Sequence, residues 1–174
     1  MAEKPLKFDD VNALDQAAFG DRFGGIFEHS LWVADRAWPK RPFKDEAALH
    51  AAMVAVMRGA SEEEKLGLLR AHPMLAGKEM TEGRLTADSK GEQGSAGLDR
   101  LSSDEFKRLA ELNTSYSAKF GFPFIIAVRG RTKEQILAEF DTRLKNEAKA
   151  EFETALAEVE MIARIRLDRM FGSA

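Results

Sequence analysis

Not one cysteine occurs in the 174 residues of this chain. Disulfides, zinc–thiolate centres, iron–sulfur clusters and thiol nucleophiles are therefore excluded. Long apolar runs are missing too. The longest, Phe122 to Val128, is far shorter than the ~20 residues a membrane-spanning helix needs, so no membrane partner is expected. A surplus of one charge is also absent. The formal net charge is -3, which offers nucleic acid little to hold, and no nucleic-acid partner is expected. Histidine is scarce, with three in all and no His-x-x-x-His pair. Glu28-His29 and Glu46 with His50 are the only hints of a ligand set, and no metal is expected. No phosphate-cradling P-loop, G-x-G-x-x-G fingerprint or nucleophile elbow is present. Met1 to Asp10 is polar and lacks the apolar stretch of a signal peptide. The closing Phe171-Gly172-Ser173-Ala174 is no peroxisomal address. A cytoplasmic location is the resulting expectation.

What is present is an ordinary globular composition, 44% hydrophobic and 32% charged. A chain of this length fits one domain over residues 1–174 and buries roughly 70% of its unfolded surface, so it needs no staple. Helical spacing dominates. Leu49, Met53, Val56 and Met57 form one apolar face; Leu66, Leu68 and Leu69 begin another. Ser61 with Glu64, Ser102 with Glu105 and Thr132 with Gln135 each have the spacing of a capping box, in which two side chains satisfy the first turn's orphan N–H groups. One helix is expected from Lys133 to about Asn146 and a longer one from about Ala148 to Met170. Only Phe122 to Val128 could pass for a strand, and one strand makes no sheet. The expected fold class is all-α, a bundle of six to eight helices. No linker divides the chain; loop residues concentrate between Ala76 and Gly97.

Three features could carry chemistry. His72 directly precedes Pro73, and the residue before a proline is pushed out of helical geometry. It therefore stands where a helix stops, either as a charge at the helix end or as a proton-transfer group facing a cleft. Next comes Ser89-Lys90-Gly91-Glu92-Gln93-Gly94-Ser95-Ala96-Gly97. In a helix Ser89, Glu92 and Gln93 share a face. The three glycines each cost about 1 kcal/mol there, which calls for close backbone packing or a ligand. Alternatively, Ser89 and Glu92 form one more capping box. The third feature is Arg166. The last helix has an apolar stripe at Phe152, Leu156, Val159, Ala163 and Met170, and its spacing lands on position 166. A guanidinium there needs an anionic partner from protein or substrate, or else it snorkels to solvent.

Several segments in this order resemble one family, the 2-oxo-4-hydroxy-4-carboxy-5-ureidoimidazoline (OHCU) decarboxylases. They are Phe27-Glu28-His29-Ser30-Leu31-Trp32-Val33-Ala34, Arg41-Pro42-Phe43, Ala71-His72-Pro73-Met74-Leu75-Ala76-Gly77, and Leu85-Thr86 with Ser89 and Glu92-Gln93. Leu112-Asn113 with Tyr116 follows, then Lys119-Phe120-Gly121-Phe122-Pro123-Phe124, Arg143-Leu144 and Ile165-Arg166-Leu167. The resemblance implies an all-helical homodimer that uses no cofactor. It implies His72 as catalytic proton donor with Glu92 beside it. Pro73, Ser89, Gln93 and Arg166 match substrate-binding positions. Phe124, Ile125, Ile126 and Val128 add contacts, partly through backbone. Two positions depart from the family's habit, which favours proline where Leu31 stands and aspartate where Met74 stands.

The implied substrate suits such a site. Its carboxylate sits on a carbon that also bears a hydroxyl, next to a ring C=N bond that can accept the electrons released with carbon dioxide. With an electron sink in the substrate, no pyridoxal phosphate, thiamine or metal is required. The protein has to hold the ring and deliver a proton to one face, giving (S)-allantoin. Two other readings stand beside this one. The first is a hydrolase of a related cyclic ureide, with His72 and Glu92 activating water. The second is a non-catalytic helical interaction module, which would have no need of His72, Ser89, Glu92, Gln93 and Arg166 together.

Overall fold

Ser61, Ser102 and Thr132 each accept the N–H three residues on, while Glu64, Glu105 and Gln135 return a bond to the cap's own N–H. All three capping boxes are thus realised. The computed structural model describes residues 6–173. Among them stand ten α-helices and no strand; eight helices have seven or more residues. They are α1 (Phe8–Val11), α2 (Gln16–Phe23), α3 (Leu31–Ala37), α4 (Glu46–Arg58), α5 (Glu62–Arg70), α6 (Lys78–Thr81), α7 (Ala87–Ser95), α8 (Ser103–Phe120), α9 (Lys133–Arg143) and α10 (Ala148–Phe171). The total exceeds the expected six to eight because α1 and α6 are single turns too short for a periodicity to show. The segment 123–128 is neither helix nor strand. Helix α9 stops three residues early, at Arg143.

The described residues form two compact units, 6–71 with 160–173, and 72–159. The first contains α1 to α5 and the second half of α10. Leu49, Met53, Val56 and Met57 are the buried face of α4, as their spacing required. Burying a side chain of that size contributes roughly 1.5–3 kcal/mol. Phe19 and Phe23 pack ring against ring at 4.6 Å, and Phe171 at the end of α10 lies 6.3 Å from Phe23. Asn12 pairs with the backbone of Phe43 in both directions, accepting its N–H at 2.8 Å and donating to its carbonyl at 2.9 Å. The unusual Leu31 opens α3, the position where proline is well tolerated, and is largely exposed.

The second unit is built around Tyr116, which is fully buried. Phe120, Phe122, Phe124 and Phe140 surround its ring at 4.7 to 5.9 Å, and Phe124 stacks on Phe140 at 3.6 Å. Gly121 ends α8 with φ +78°, donating back to the Ser117 carbonyl at 2.9 Å. Glycine makes that left-handed stop without a Cβ penalty. The chain then leaves α8 as the irregular segment that carries Phe122 to Val128.

Candidate active site

Helix α5 ends at Arg70 with Ala71 as its C-cap. His72 follows, 8% exposed, and Pro73 prevents the helix from continuing. The expectation that His72 stands where a helix stops is met. A tight turn comes next. The Gly77 N–H donates to the Met74 carbonyl at 3.2 Å, and Ala76 has φ +47°. A Cβ at Gly77 would stand 2.7 Å from that of Met74, so only glycine closes the turn without a shift.

Helix α7 presents Ser89 and Gln93, one turn apart, as its buried residues, while Glu92 is half-buried. Its cap is Thr86, whose hydroxyl accepts the Ser89 N–H at 3.2 Å. The alternative of Ser89 capping a helix with Glu92 is therefore not realised; Ser89 already lies inside the first turn. The glycines are not explained by close packing either. A Cβ on Gly91 would meet nothing within 4 Å, and one on Gly94 would only touch Asp99 at an ordinary 3.6 Å. Gly97 lies beyond the helix at φ +75°, where its left-handed conformation is sufficient reason for glycine. Gly91, Lys90 and Ala87 instead line a cleft of about 630 Å³ with Met80, Gly83, Leu85 and Asp99. None of the predicted site residues lines this cleft.

Gln93 joins α7 to the turn after His72. Its Oε1 accepts the Ala76 N–H at 2.8 Å. Asn113 on α8 donates through Nδ2 to the Leu75 carbonyl at 2.9 Å. The structure thus brings Gln93, the His72–Gly77 segment and Asn113 into one hydrogen-bonded group.

The Phe124–Val128 segment is buried throughout. Arg143 donates to the Ile125 carbonyl at 2.7 Å, and the Ala127 N–H donates to Glu158 at 2.7 Å. The Val128 carbonyl accepts from Arg131 at 3.0 Å. Among the described residues, no group bonds the peptide N–H or carbonyl of Phe124 or Ile126. The N–H groups of Ile125 and Val128 and the carbonyl of Ala127 are likewise without a partner there, and a buried peptide group in that state costs roughly 1–3 kcal/mol unless a ligand or water meets it.

Arg166 belongs to the first unit, on the buried face of α10 at 4% exposure. Of the readings left open for it, the protein carboxylate is present. Arg166 forms an ion pair with Glu28 at 2.9 Å and donates to the Gly25 carbonyl at 3.1 Å. The sequence offered Glu28 as half of a possible metal pair with His29 and as part of a family-like segment, not as the partner of Arg166. Among the described residues no three His, Asp or Glu side chains come together as a metal set. His50 Nε2 instead lies 2.9 Å from the Glu160 carbonyl oxygen.

Sequence reasoning gave no role to Asn113, Arg143, Tyr116 or Glu151. The last three form a fully buried cluster in which Glu151 accepts from Tyr116, from Arg143 Nε at 2.8 Å and from Asn146 at 2.9 Å. One signal was available. The buried stripe of α10 starts at Glu151 and not at Phe152, which is only half-buried, and a carboxylate heading an apolar stripe needs donors as surely as Arg166 needs an anion.

Known proteins are similar to this chain in sequence and in fold. A family model described as OHCU decarboxylase matches residues 12–168. The chain is 44% identical over 168 residues to the 2-oxo-4-hydroxy-4-carboxy-5-ureidoimidazoline decarboxylase of Haloferax volcanii, covering 97% of this chain and 98% of that one. It is 41% identical to the uric acid degradation bifunctional protein of Bacillus subtilis over 91% of this chain and 31% of that protein. The crystal structure of an (S)-allantoin synthase superimposes with a TM-score of 0.77 at 31% identity, covering 95% of this chain and 54% of the other.

Proposed function

Because the chain belongs to the OHCU decarboxylase family, we propose that it converts OHCU to (S)-allantoin in urate degradation. One observation carries the reading furthest. The turn that follows buried His72 is bonded to Gln93, on the same buried helix face as Ser89.

In the reaction the bond between the substrate carboxylate and its carbon breaks. Carbon dioxide leaves, and the electron pair of the broken bond forms a C=C bond to the neighbouring ring carbon while the C=N pair moves onto nitrogen, which takes up a proton. The carbon of the former C=N is then protonated on one face, and the hydroxyl gives up its proton as its own carbon becomes a ring carbonyl. The electron sink lies in the substrate, so the protein's task is orientation and proton delivery. His72 exchanges a proton with the reacting hydroxyl or carbon; imidazole is the side chain suited to this near neutral pH. Glu92 orients or tunes the imidazole. Pro73 and Ser89 contact the substrate. Gln93, whose Oε1 is engaged by Ala76, donates through Nε2 to a ureido or ring carbonyl oxygen. The peptide groups of Phe124 and Ile126, with Ile125 and Val128 flanking them, bind the ring amides. Their lack of protein partners supports this role. On the family match alone, Arg166 is assigned to a substrate carboxylate or carbonyl oxygen, with Glu28 holding its guanidinium.

The family match runs unbroken across both units, which supports treating residues 1–174 as one domain. A homodimer and a cytoplasmic location complete the reading. No described helix is long and apolar enough to cross a membrane.

The test generates the substrate in place, by urate oxidation followed by hydroxyisourate hydrolysis. Added protein should accelerate release of carbon dioxide and formation of optically active (S)-allantoin, and His72→Asn should abolish the acceleration while folding normally. Racemic product at the uncatalysed rate with wild-type protein would reject the assignment. Light scattering of the purified chain at a monomer mass would reject the dimer.

A further inference from the structure

The Leu75–Ala76 peptide group is gripped at both ends. Its carbonyl accepts from Asn113 Nδ2 at 2.9 Å, and its N–H donates to Gln93 Oε1 at 2.8 Å. The two side chains come from different helices, α8 and α7. Both are at least nine-tenths buried, Asn113 at 5% exposure and Gln93 at 3%.

This peptide is the middle of the Met74–Gly77 turn. The turn has a Gly77 N–H to Met74 carbonyl bond, no positive φ at Leu75 and φ +47° at Ala76. That combination of bond and φ signs matches a type II turn, which asks for glycine at the position Ala76 fills. Types I and II differ by a flip of the central peptide. With alanine third in the turn, type I is the conformation the local chain prefers, because φ is then negative. The observed orientation therefore depends on its two side-chain partners.

The same peptide fixes the orientation of the Gln93 amide. An N–H can only meet the amide oxygen, so Nε2 is the end of Gln93 left to act elsewhere, and it acts as a donor. Among the described residues nothing accepts from Nε2. A flipped peptide would turn a carbonyl toward Gln93, reverse the amide and present an acceptor in place of a donor.

We propose that Asn113 is a positioning residue of the active site. By holding the Leu75 carbonyl it keeps the central peptide in the type II orientation, and through that peptide it makes Gln93 a donor to the substrate's carbonyl oxygen. The inference rests on the proposed decarboxylase reading for the identity of the substrate.

The experiment compares Asn113→Ala, Ala76→Gly and the double variant with wild type, in folded protein, for kcat and KM in the coupled (S)-allantoin assay. Wild-type activity tests the decarboxylase reading; the variants test only the positioning role. Asn113→Ala is expected to lower kcat/KM about tenfold or more, the scale of a misplaced contact. Ala76→Gly in the same chain should recover a substantial part of the loss, because glycine holds positive φ without help. Wild-type kcat and KM in folded Asn113→Ala would overturn the proposal. A loss that Ala76→Gly leaves unrepaired would also overturn it, since Asn113 would then act by packing alone. Should Asn113→Ala fail to fold, Asn113→Asp keeps the shape without the amide donor and is read against the same rescue.

Discussion

Arg143 spans two acceptors at once, the Ile125 carbonyl at 2.7 Å through Nη1 and the Glu151 carboxylate at 2.8 Å through Nε. The irregular segment behind the proposed ligand-facing peptides is thereby tied to a buried ion pair. Its guanidinium also lies over the Phe124 ring, 4.3 Å from the centroid. Arg143→Lys keeps the charge and loses the planar fork. A destabilisation of about 1.5–3 kcal/mol is expected, the scale of losing a hydrogen bond that involves a charged group, and urea denaturation measures it. Retained stability would show that charge alone suffices.

Tyr116 gives a prediction at alkaline pH. Burial first, and then its hydrogen bond to Glu151, push the phenol well above its ordinary value of 10.0. A raised folded pKa stabilises fully below the unfolded pKa and less as pH rises beyond it. Above about pH 10 the unfolded chain gives up the phenol proton while the folded chain keeps it, which favours unfolding. Tyr116→Phe should cost about 1.5–3 kcal/mol at neutral pH, as for a hydrogen bond to a charged group. It should also flatten the fall in stability above pH 10. Parallel pH profiles for the two proteins would contradict this.

At acid pH the half-buried Glu64 is the group to watch. Its hydrogen bond from Arg36, followed by that from the Ser61 N–H, lowers its carboxyl from 4.5 to about 2. A depressed folded pKa stabilises above the unfolded value and fades as pH falls toward the folded one. The contribution should therefore disappear between about pH 4.5 and pH 2. Glu64→Gln retains an acceptor for the Ser61 cap and removes the charge, so its stability should converge with wild type across that window. Added salt should narrow the gap at neutral pH. A gap that stays constant down to pH 2 would count against the Arg36 pair.

Arg166 and Glu28 invite a double-mutant cycle. Both side chains are almost completely buried, and removing one partner of such a pair typically costs about 3–5 kcal/mol. Arg166→Met and Glu28→Gln should each be strongly destabilising in thermal melts. The double variant should lose markedly less than the sum, because the second removal abolishes a charge already stranded. Strict additivity would mean that the two side chains do not support each other.

Local chemistry explains which parts of this molecule could be read in advance. The three capping boxes and the α4 face arise from groups three or four residues apart, and that spacing is visible in the chain. His72 at the end of α5 follows from its proline neighbour. The need of Arg166 for an anion was legible, but the choice of Glu28 was not. That pairing, like Arg143 with Ile125, depends on elements far apart in the chain. Close packing does not account for the glycines between Gly91 and Gly97, whose reasons are separate. Gly97 serves a left-handed stop, while Gly91 faces an open cleft.

The sequence by itself determined the all-helical character, the starts of α5, α8, α9 and α10, the non-helical break at His72-Pro73 and the membership implied by its ordered motifs. These depend on i to i+4 hydrogen bonds, caps and side-chain periodicity, which operate within one or two turns. Only the tertiary structure decided how one peptide plane, Leu75–Ala76, is oriented. Alanine's own preference runs against that orientation, and the groups that hold it, on Gln93 and Asn113, reach it only once α7 and α8 have packed against the turn.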